Sequence, residues 1–440
     1  MAEISCEDQR GVGHEVPLRE AIQTWSQIGI LSFGGPAAQI ALMHRVVVEE
    51  KKWLSEQQYL NALSFCMLLP GPEAMQLATY VGWRLHGLKG GFAAGILFVL
   101  PGALVVLGLS MIYAAFGKLS IVEAIFFGIK AAVLVIVLQA LLRIAKRALL
   151  MPEHWVIAGF SFVAIFFLAL PFPLIVLAAA LYGLLHKPLL PTGDAGTSMA
   201  IKVGLSETLR TIAVWMAIWI TPLAAVIALL GRGHVISELG LFFSKLAVVT
   251  FGGAYAVLAY MGQDVVVRYG WLDAGQMMDG LGLAETTPGP LILVTEFVGY
   301  LAAYQHGGGS PWLAGLFGAL VALWATFTPC FLWIFAGAPY IEWINTQPRL
   351  KGALTAITAA VVGVILNLTL WFALHVFFGK VEQISAGPLN LWSPVMATLD
   401  WRVVVLAASC GFLLLRRQWS IPWVLATASV LALGMRFAGI

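Results

Sequence analysis

Long runs of apolar residues alternate with short polar segments along almost the whole chain. Each run has about 17 to 25 residues, the length that an α-helix needs to cross a bilayer. The pattern predicts a polytopic, all-α membrane protein with about six helices, then one, then about six more. The predicted helices lie near residues 20–42, 60–83, 91–116, 121–142, 154–170, 172–186, 211–230, 239–261, 277–303, 312–337, 353–378, 400–415 and 420–437.

The composition supports a membrane protein and narrows its chemistry. Of the 440 residues, 60% are hydrophobic and 11% are charged, which lies outside the usual range of soluble domains. The basic residues are scattered, which argues against a nucleic-acid partner. The four cysteines are far apart and no histidines have metal-ligand spacing, so we predict no metal site and no cofactor. The polar N-terminus lacks the apolar core of a cleaved signal peptide.

Two motifs of helix-breaking residues occur twice in the chain. Phe33-Gly34-Gly35 and Pro70-Gly71-Pro72 recur as Phe251-Gly252-Gly253 and Pro288-Gly289-Pro290, each 218 positions later. Self-similarity at a fixed spacing indicates an internal repeat. Because the segments are apolar, these repeated breaks are predicted to lie inside the membrane, as in many transporters.

The repeat divides the chain into three parts. Once the spacing lengthens from 218 to 228 positions, Pro101 also matches Pro329, so the duplication covers most of each half. We predict a first repeat at 20–190, a linker with one extra transmembrane helix at 191–237, and a second repeat at 238–437. A repeat of about six helices followed by one extra helix gives the two repeats opposite orientations in the membrane.

The basic residues predict which side each loop faces, because cytoplasmic loops of membrane proteins are enriched in lysine and arginine. With a cytoplasmic N-terminus, the inside loops hold about twice as many basic residues as the outside segments, which include Arg45, Lys51 and Lys52. The alternative is that the broken helices form re-entrant hairpins. Fewer segments then cross the membrane, and the two repeats can still have opposite orientations.

Both motifs interrupt helices. In Gly34-Gly35-Pro36 the proline lacks an N–H and the glycines free the backbone. Pro70-Gly71-Pro72 cannot continue a helix, but proline suits the first turn of a new one, so we predict that half-helices begin at Glu73 and at Leu291. Amides at such helix starts favour an anion. The alternatives are close packing of helices through small residues and a purely structural kink.

Ionisable residues inside the apolar segments are further candidates, because burying a charge is costly. Lys130 and Lys245 are predicted to hold an anionic substrate, or alternatively to extend to the membrane surface. Glu73, Glu285 and Glu296 are candidates for proton coupling, with helix capping as the alternative for Glu73. The predicted substrate site comprises Phe33, Gly34, Gly35, Pro36, Pro70, Gly71, Pro72, Glu73, Lys130, Lys245, Phe251, Gly252, Gly253, Glu285, Thr286, Thr287, Pro288, Gly289 and Pro290.

The motifs resemble those of the chromate ion transporter family in its long, two-domain form. The residues that carry the resemblance are Ser32-Phe33-Gly34-Gly35-Pro36, Leu69-Pro70-Gly71-Pro72-Glu73 and their second copies at 250–253 and 287–291. The resemblance covers about residues 20–437, and Ala254, in place of a second proline, is a departure. It implies a multi-pass protein of the bacterial inner membrane, with inverted halves, that exports chromate and confers chromate resistance.

We therefore predict alternating access to a tetrahedral oxyanion site near the middle of the membrane, and no enzymatic activity. The membrane potential, a proton gradient or both would drive export. Sulfate has the same shape as chromate, so a transporter or channel for sulfate or a related oxyanion is the alternative. A membrane-bound chromate reductase is a remote alternative, since the chain has no flavin, haem or thiol motif. Membrane lipid is the expected surrounding, and a homodimer is one open alternative for the oligomeric state.

Overall fold

The computed structural model describes residues 16–186, 204–251, 254–345, 347–387 and 389–439. Most of these residues are helical, which confirms the prediction of an all-α membrane protein. Within the described ranges, five helices are long and apolar enough to cross a membrane. They are Glu73–Phe116, Ser120–Ala148, Leu205–Leu230, Pro311–Tyr340 and Pro348–Phe377.

The helices follow the two halves of the chain. The first half contains α1 (Leu18–Leu31), α2 (Gly35–His44), α3 (Glu56–Leu68), α4 (Glu73–Phe116), α5 (Ser120–Ala148), α6 (Pro152–Phe166) and α7 (Phe172–Leu185). Helix α8 (Leu205–Leu230) connects the halves. The second half contains α9 (Val235–Val249), α10 (Ala254–Gln263), α11 (Ala274–Thr286), α12 (Val294–His306), α13 (Pro311–Gly337), α14 (Ile341–Asn345), α15 (Pro348–Phe377), α16 (Trp401–Gly411) and α17 (Ile421–Phe437).

The prediction that 20–42 crosses the membrane is wrong. Helix α1 ends at Leu31 and α2 begins at Gly35, and the chain turns back between them. Lys51, which follows α2, lies 2.8 Å from the carboxylate of Glu20 in the first turn of α1 (Nζ to Oε1). A crossing helix would hold these two residues on opposite sides of the membrane, about 30 Å apart. The segment therefore begins and ends on one side, and the prediction that Lys51 faces the opposite side from the N-terminus is wrong as well.

The next segment is a hairpin that turns at Pro70-Gly71-Pro72. The rings of Phe65 and Tyr80, one on each arm, are 6.3 Å apart between centroids. One continuous helix would separate these residues by about 22 Å, at 1.5 Å per residue. At the end of the second arm, His86 contacts the backbone carbonyl of Val16, with 2.7 Å between Nε2 and the oxygen. Both hairpins therefore return to the side on which the first begins, as the re-entrant alternative predicts.

Helix α4 consists of two antiparallel arms. At Gly87 the backbone has φ +60°, which is outside the helical region. Gly82 and Gly90 lie so close that a β-carbon on either would overlap the carbonyl of the other. The arms 73–85 and 88–116 thus pack side by side, and only the second arm is long enough to cross a membrane.

The second half repeats this arrangement. Helices α11 and α12 form a hairpin around Pro288-Gly289-Pro290, in which Gly280 lies directly against the ring of Phe297. His306, the last residue of α12, contacts the carbonyl of Trp271, which precedes α11, with 3.1 Å between Nε2 and the oxygen. The hairpin therefore also begins and ends on one side.

The two halves exchange their last helices. Helices α6 and α7 pack against α15, where Gly183 lies against the backbone of Gly352. Conversely, α16 and α17 pack against α5, where Gly128 lies against the backbone of Ala428. Small residues allow such close approach of helices. The centre of the protein is α12, which is buried on every side from Val294 to Ala303.

The extra helix predicted at 211–230 is α8, which begins six residues earlier than predicted, at Leu205. The first part of the predicted linker, 191–203, lies outside the described residues.

A small antiparallel sheet was not expected from the apolar pattern. Its strands are β1 (Val381–Ala386) and β2 (Leu389–Pro394), paired with Val381 opposite Pro394. The sheet lies in the polar segment between α15 and α16, so it adds to the helical membrane fold without changing it.

Candidate functional site

The first helix break depends on two glycines. Gly34 and Gly35 have φ values of +88° and +76°, a region that residues with a β-carbon rarely adopt. The chain can therefore leave α1 and enter α2 within three residues, and Pro36 occupies the first turn of α2. The carbonyl of Ser32 is left without a partner in its own helix.

The second break has the same form. Helix α9 ends at Val249 and α10 begins at Ala254, so the helix is interrupted here too. Thr250 takes the place of Ser32. Gly252 and Gly253 lie outside the described residues.

Both Pro-Gly-Pro loops also turn on glycine. Gly71 has φ +117° and Gly289 has φ +92°. Helix α4 begins at Glu73, as predicted. In the second copy a 3-10 turn, Leu291–Leu293, precedes α12, so the α-helix begins one turn later than predicted.

Each Pro-Gly-Pro loop is tied to the helix break of the opposite half. The N–H of Gly71 donates to the carbonyl of Thr250 at 2.9 Å, and the N–H of Gly289 donates to the carbonyl of Ser32 at 2.8 Å. The two bonds are equivalent under the repeat, because both donors and both acceptors are 218 positions apart. Each break therefore lies against the loop of the other half.

The long helices pack behind the loops in the same crossed manner. A β-carbon at Gly71 would lie 3.0 Å from Sγ of Cys330 on α13, and one at Gly102 on α4 would overlap the carbonyl of Pro288. Gly102 and Cys330 are themselves repeat equivalents, 228 positions apart. Each loop is thus held between a break and a long helix of the opposite half.

Two buried glutamines hold the loops through their side-chain amides. Gln39 is 1% exposed and donates from Nε2 to the carbonyl of Gly289 at 2.6 Å. Gln76 is 0% exposed and donates from Nε2 to the carbonyl of Pro70 at 2.7 Å. A carbonyl can only accept a hydrogen bond, so each amide directs its nitrogen to the loop.

A tyrosine joins the second break to the second loop. The hydroxyl of Tyr255, in the first turn of α10, donates to Oε1 of buried Glu285 at 2.9 Å. Glu285 lies three residues before Pro288. With the crossed backbone bonds, this contact makes the breaks and loops one assembly, which we call the loop cluster. The loop cluster comprises 32–35, 70–72, 250–251 and 288–290.

Within the described part of the chain, the carboxylates around the loop cluster form no ion pair. Glu73 is half-buried at the start of α4, and Glu296 is buried in α12. Among the described residues, no lysine or arginine forms an ion pair with Glu73, Glu285 or Glu296. Arg143 acts on Glu285 only through longer-range attraction, and its own side chain is exposed.

The two threonines predicted to donate to an anion are bonded to their own helix. The hydroxyl of Thr286 donates to the carbonyl of Leu283 at 2.8 Å, and that of Thr287 to the carbonyl of Ala284 at 3.4 Å. In this conformation the two hydroxyl protons are therefore not free to bind an anion, although the hydroxyl oxygens can still accept hydrogen bonds.

The two candidate lysines have partners of their own. Nζ of Lys130 lies 3.4 Å from Oδ1 of buried Asp279, and the hydroxyl of Tyr113 donates to Oδ2 at 2.7 Å. Asp279 lies nine residues before Pro288 on α11, about 13 Å along the helix. Nζ of Lys245 lies 5.6 Å from the centre of the Tyr260 ring, a cation–π distance.

The phenylalanines and the proline of the Phe-Gly-Gly motifs are not fully buried. Phe33 is 45% exposed, while Phe251 and Pro36 are half-buried. The glycines and prolines of the motifs form the turns of the loop cluster, and the phenylalanine side chains lie at its edge.

Several polar residues in or next to the loop cluster are not among the site residues that the sequence predicts. They are the polar residues Ser32, Gln39, Gln76, Tyr255 and Asp279, all bonded as described above. The signal that could have identified the glutamines is a polar side chain inside an apolar segment, a few residues from a motif.

Comparison with known proteins points to one family. A family model described as "Chromate transporter" matches two stretches, residues 19–184 and 237–434, which together make up most of the chain. The "Chromate transport protein" of Pseudomonas aeruginosa is 32% identical over 408 residues, which are 89% of this chain and 91% of that protein. The "Chromate transport protein" of Cupriavidus metallidurans is 31% identical over 360 residues, 81% of this chain and 83% of that one.

A shorter relative matches only part of the chain. The "Uncharacterized transporter YwrA" of Bacillus subtilis is 32% identical over 164 residues, which are 37% of this chain and 92% of that protein. No solved structure matches the chain. The family match over both stretches, and the identity along most of two full-length relatives, show that the chain belongs to the chromate transporter family.

Proposed function

We propose that this protein carries chromate, or an oxyanion of the same shape, out of the bacterial cytoplasm across the inner membrane and so confers chromate resistance. The names of the relatives support chromate as the substrate and a transporter rather than an enzyme. The observation that carries the proposal is the pair of crossed bonds, Gly71 to Thr250 and Gly289 to Ser32. Interrupted helices from two repeats that meet in an apolar bundle are the arrangement in which transporters bind ions.

The oxyanion binds at the loop cluster through backbone amides. The first amides of α4 and of the turn Leu291–Leu293 have no partner within their helices, and the helix dipole favours an anion there. The amides of Gly71 and Gly289 are engaged with the opposite half in this conformation. Movement of one half against the other breaks a crossed bond and frees that amide for the oxyanion.

The two repeats face opposite sides of the membrane in this proposal. Helix α8 is the long connection between them, and each repeat begins with two hairpins. The hairpins of the first repeat return to their starting side. Those of the second repeat do so as well, because His234 before α9 contacts the carbonyl of Gly307 after α12 at 3.1 Å and His306 contacts that of Trp271. Alternating access follows if the hairpins of one repeat open to the cytoplasm and those of the other to the outside. The membrane potential supplies about 2.3 kcal/mol per exported negative charge for each 100 mV. Protons carried by Glu73, Glu285 or Glu296 would add to this driving force.

Transport is tested with inverted membrane vesicles that contain the protein. We expect these vesicles to accumulate radiolabelled chromate with saturable kinetics, and more strongly when the potential is positive inside. Vesicles from cells without the protein are the control. Unsaturable equilibration would indicate a channel, competition by sulfate with equal affinity would indicate a general oxyanion carrier, and no flux under any potential would contradict transport.

The opposite orientation of the repeats is tested with two equivalent surface positions. Lys52 and Gly270 are 218 positions apart, both are exposed and both follow the second arm of a first hairpin. In a background without the native cysteines, we expect Lys52→Cys to react with a membrane-impermeant maleimide only from the cytoplasmic side and Gly270→Cys only from the outside. Labelling of both from one side would refute the inversion.

A further inference from the structure

The two loop-holding glutamines have buried amide oxygens that accept no hydrogen bond from the residues that the structure describes. Gln39 and Gln76 both use Nε2 for the loop carbonyls, so Oε1 is the atom left over. Neither Oε1 has a hydrogen-bond partner among the described residues. Both atoms of an amide share one carbon, so each Oε1 also lies beside a Pro-Gly-Pro loop. A buried acceptor without a donor is costly, unless a ligand supplies the donor.

Each loop has one such acceptor, and both come from the first half. Gln39 serves the second loop and Gln76 the first. The repeat equivalents of these glutamines, 218 positions later, are Val257 and Val294, whose side chains cannot form hydrogen bonds. The two acceptors therefore break the symmetry between the repeats.

The charges around the loop cluster disfavour a doubly charged anion. Oε2 of Glu285 and Oε2 of Glu296 are buried and, within the described part of the chain, have no partner. The ammonium of Lys130 is paired with Asp279, and that of Lys245 faces a tyrosine ring. Near the first loop, Glu73 in the first turn of α4 is a third, half-buried carboxylate, and Cys66 and Cys330 are buried thiols. A dianion would bring two charges into surroundings rich in acceptors, at a high cost of desolvation.

We propose that the protein carries the singly protonated, monoanionic form of its tetrahedral oxyanion, and that Oε1 of Gln39 or Gln76 accepts the hydrogen bond from the oxyanion's hydroxyl group. The inference rests on the proposed function and specifies the form of its substrate. A monoanion costs far less to desolvate than a dianion, and its hydroxyl supplies the donor that the two amide oxygens lack.

The same feature separates chromate from sulfate. Hydrogenchromate loses its proton near neutral pH, so both forms are abundant in a cell. Hydrogensulfate is a strong acid, so sulfate at neutral pH is almost entirely the dianion, which has no hydroxyl to donate. At this site the sulfate oxygens would face the glutamine Oε1 atoms, and neither could donate a hydrogen bond to the other. The site therefore rejects sulfate.

The pH dependence of transport by the purified protein in liposomes tests the proposal. With the potential clamped, we expect the KM for total chromate to rise about tenfold for each pH unit above the pKa of hydrogenchromate. The KM expressed as hydrogenchromate should stay constant, and sulfate should not compete. A KM for total chromate that stays flat with pH, or equal competition by sulfate, would overturn the inference and leave the proposed function intact. Liposomes without chromate flux at any pH would instead refute the proposed function.

Two sets of variants locate the proton and the acceptor. If a glutamate of the protein carries the proton instead, Glu73→Gln, Glu285→Gln or Glu296→Gln will abolish the pH dependence of KM, and that result would contradict the proposal. We expect all three variants to retain the pH dependence. Gln39→Val and Gln76→Val copy the residues of the other half. We expect each to raise the KM for hydrogenchromate about tenfold and to narrow the preference for chromate over sulfate. A purely structural role would lower all rates and leave that preference unchanged.

Discussion

Replacing Gly289 by alanine is expected to abolish chromate transport, and Gly71→Ala is expected to do the same. At φ +92° and +117° a β-carbon strains the backbone by about 1–2 kcal/mol. At Gly289 the new carbon would also lie 2.8 Å from Cδ1 of Leu293 and 3.2 Å from the Cα of Gly102. Overpacking of this kind costs about 1–3 kcal/mol. A shift of the loop away from Gly102 relieves this contact, and we expect that shift to break the crossed bond to Ser32.

Gly108→Ala is the matched control for these variants. Gly108 lies in the second arm of α4, has a helical backbone, and has open space where a β-carbon would lie. We expect this variant to transport at the wild-type rate, since alanine favours a helix over glycine by roughly 1 kcal/mol. Initial rates in inverted vesicles, normalised to the amount of folded protein in the membrane, give the comparison. Wild-type flux by Gly289→Ala would show that the crossed geometry of the loops is not needed for transport.

The local features of this site follow from the sequence because proline and glycine act on the backbone next to them. Pro72 directly precedes α4, which begins at Glu73 as predicted. The path of the chain does not follow in the same way. Two short helices that turn back have nearly the same length and composition as one crossing helix. The apolar pattern of 20–42 therefore predicts a crossing helix, whereas the chain forms a hairpin there.

The partners of the motifs also lie beyond sequence reasoning. The bonds from Gly71 to Thr250 and from Gly289 to Ser32 join residues that are far apart in the chain. The repeat shows that the two bonds must be equivalent, but not that each runs to the opposite half. The partner of Lys130 is likewise not evident from the sequence. The apolar pattern indicates that Lys130 is a costly buried charge, but its partner Asp279 lies near the start of a different predicted helix.

The ion pair of Lys130 and Asp279 gives the second large expected effect. Asp279 has a side chain 6% exposed, whereas that of Lys130 is 27% exposed. Lys130→Met leaves a buried, unpaired carboxylate, and breaking a buried pair in this way costs about 3–5 kcal/mol. We expect a large loss of thermal stability in detergent and of chromate flux. Asp279→Asn should cost less, because the lysine can reach solvent and Tyr113 can still donate to the amide oxygen.

The double variant Lys130→Met/Asp279→Asn separates a structural role of Lys130 from binding of the substrate. It removes both charges together, and a buried ion pair can often be replaced by uncharged residues with little loss of stability. If Lys130 serves to hold α11 against α5, the double variant recovers most of the stability and most of the flux that Lys130→Met loses. If Lys130 holds the oxyanion, the double variant folds but does not transport. We expect recovery, because Asp279 already neutralises the lysine about 13 Å from the loop where the amides converge.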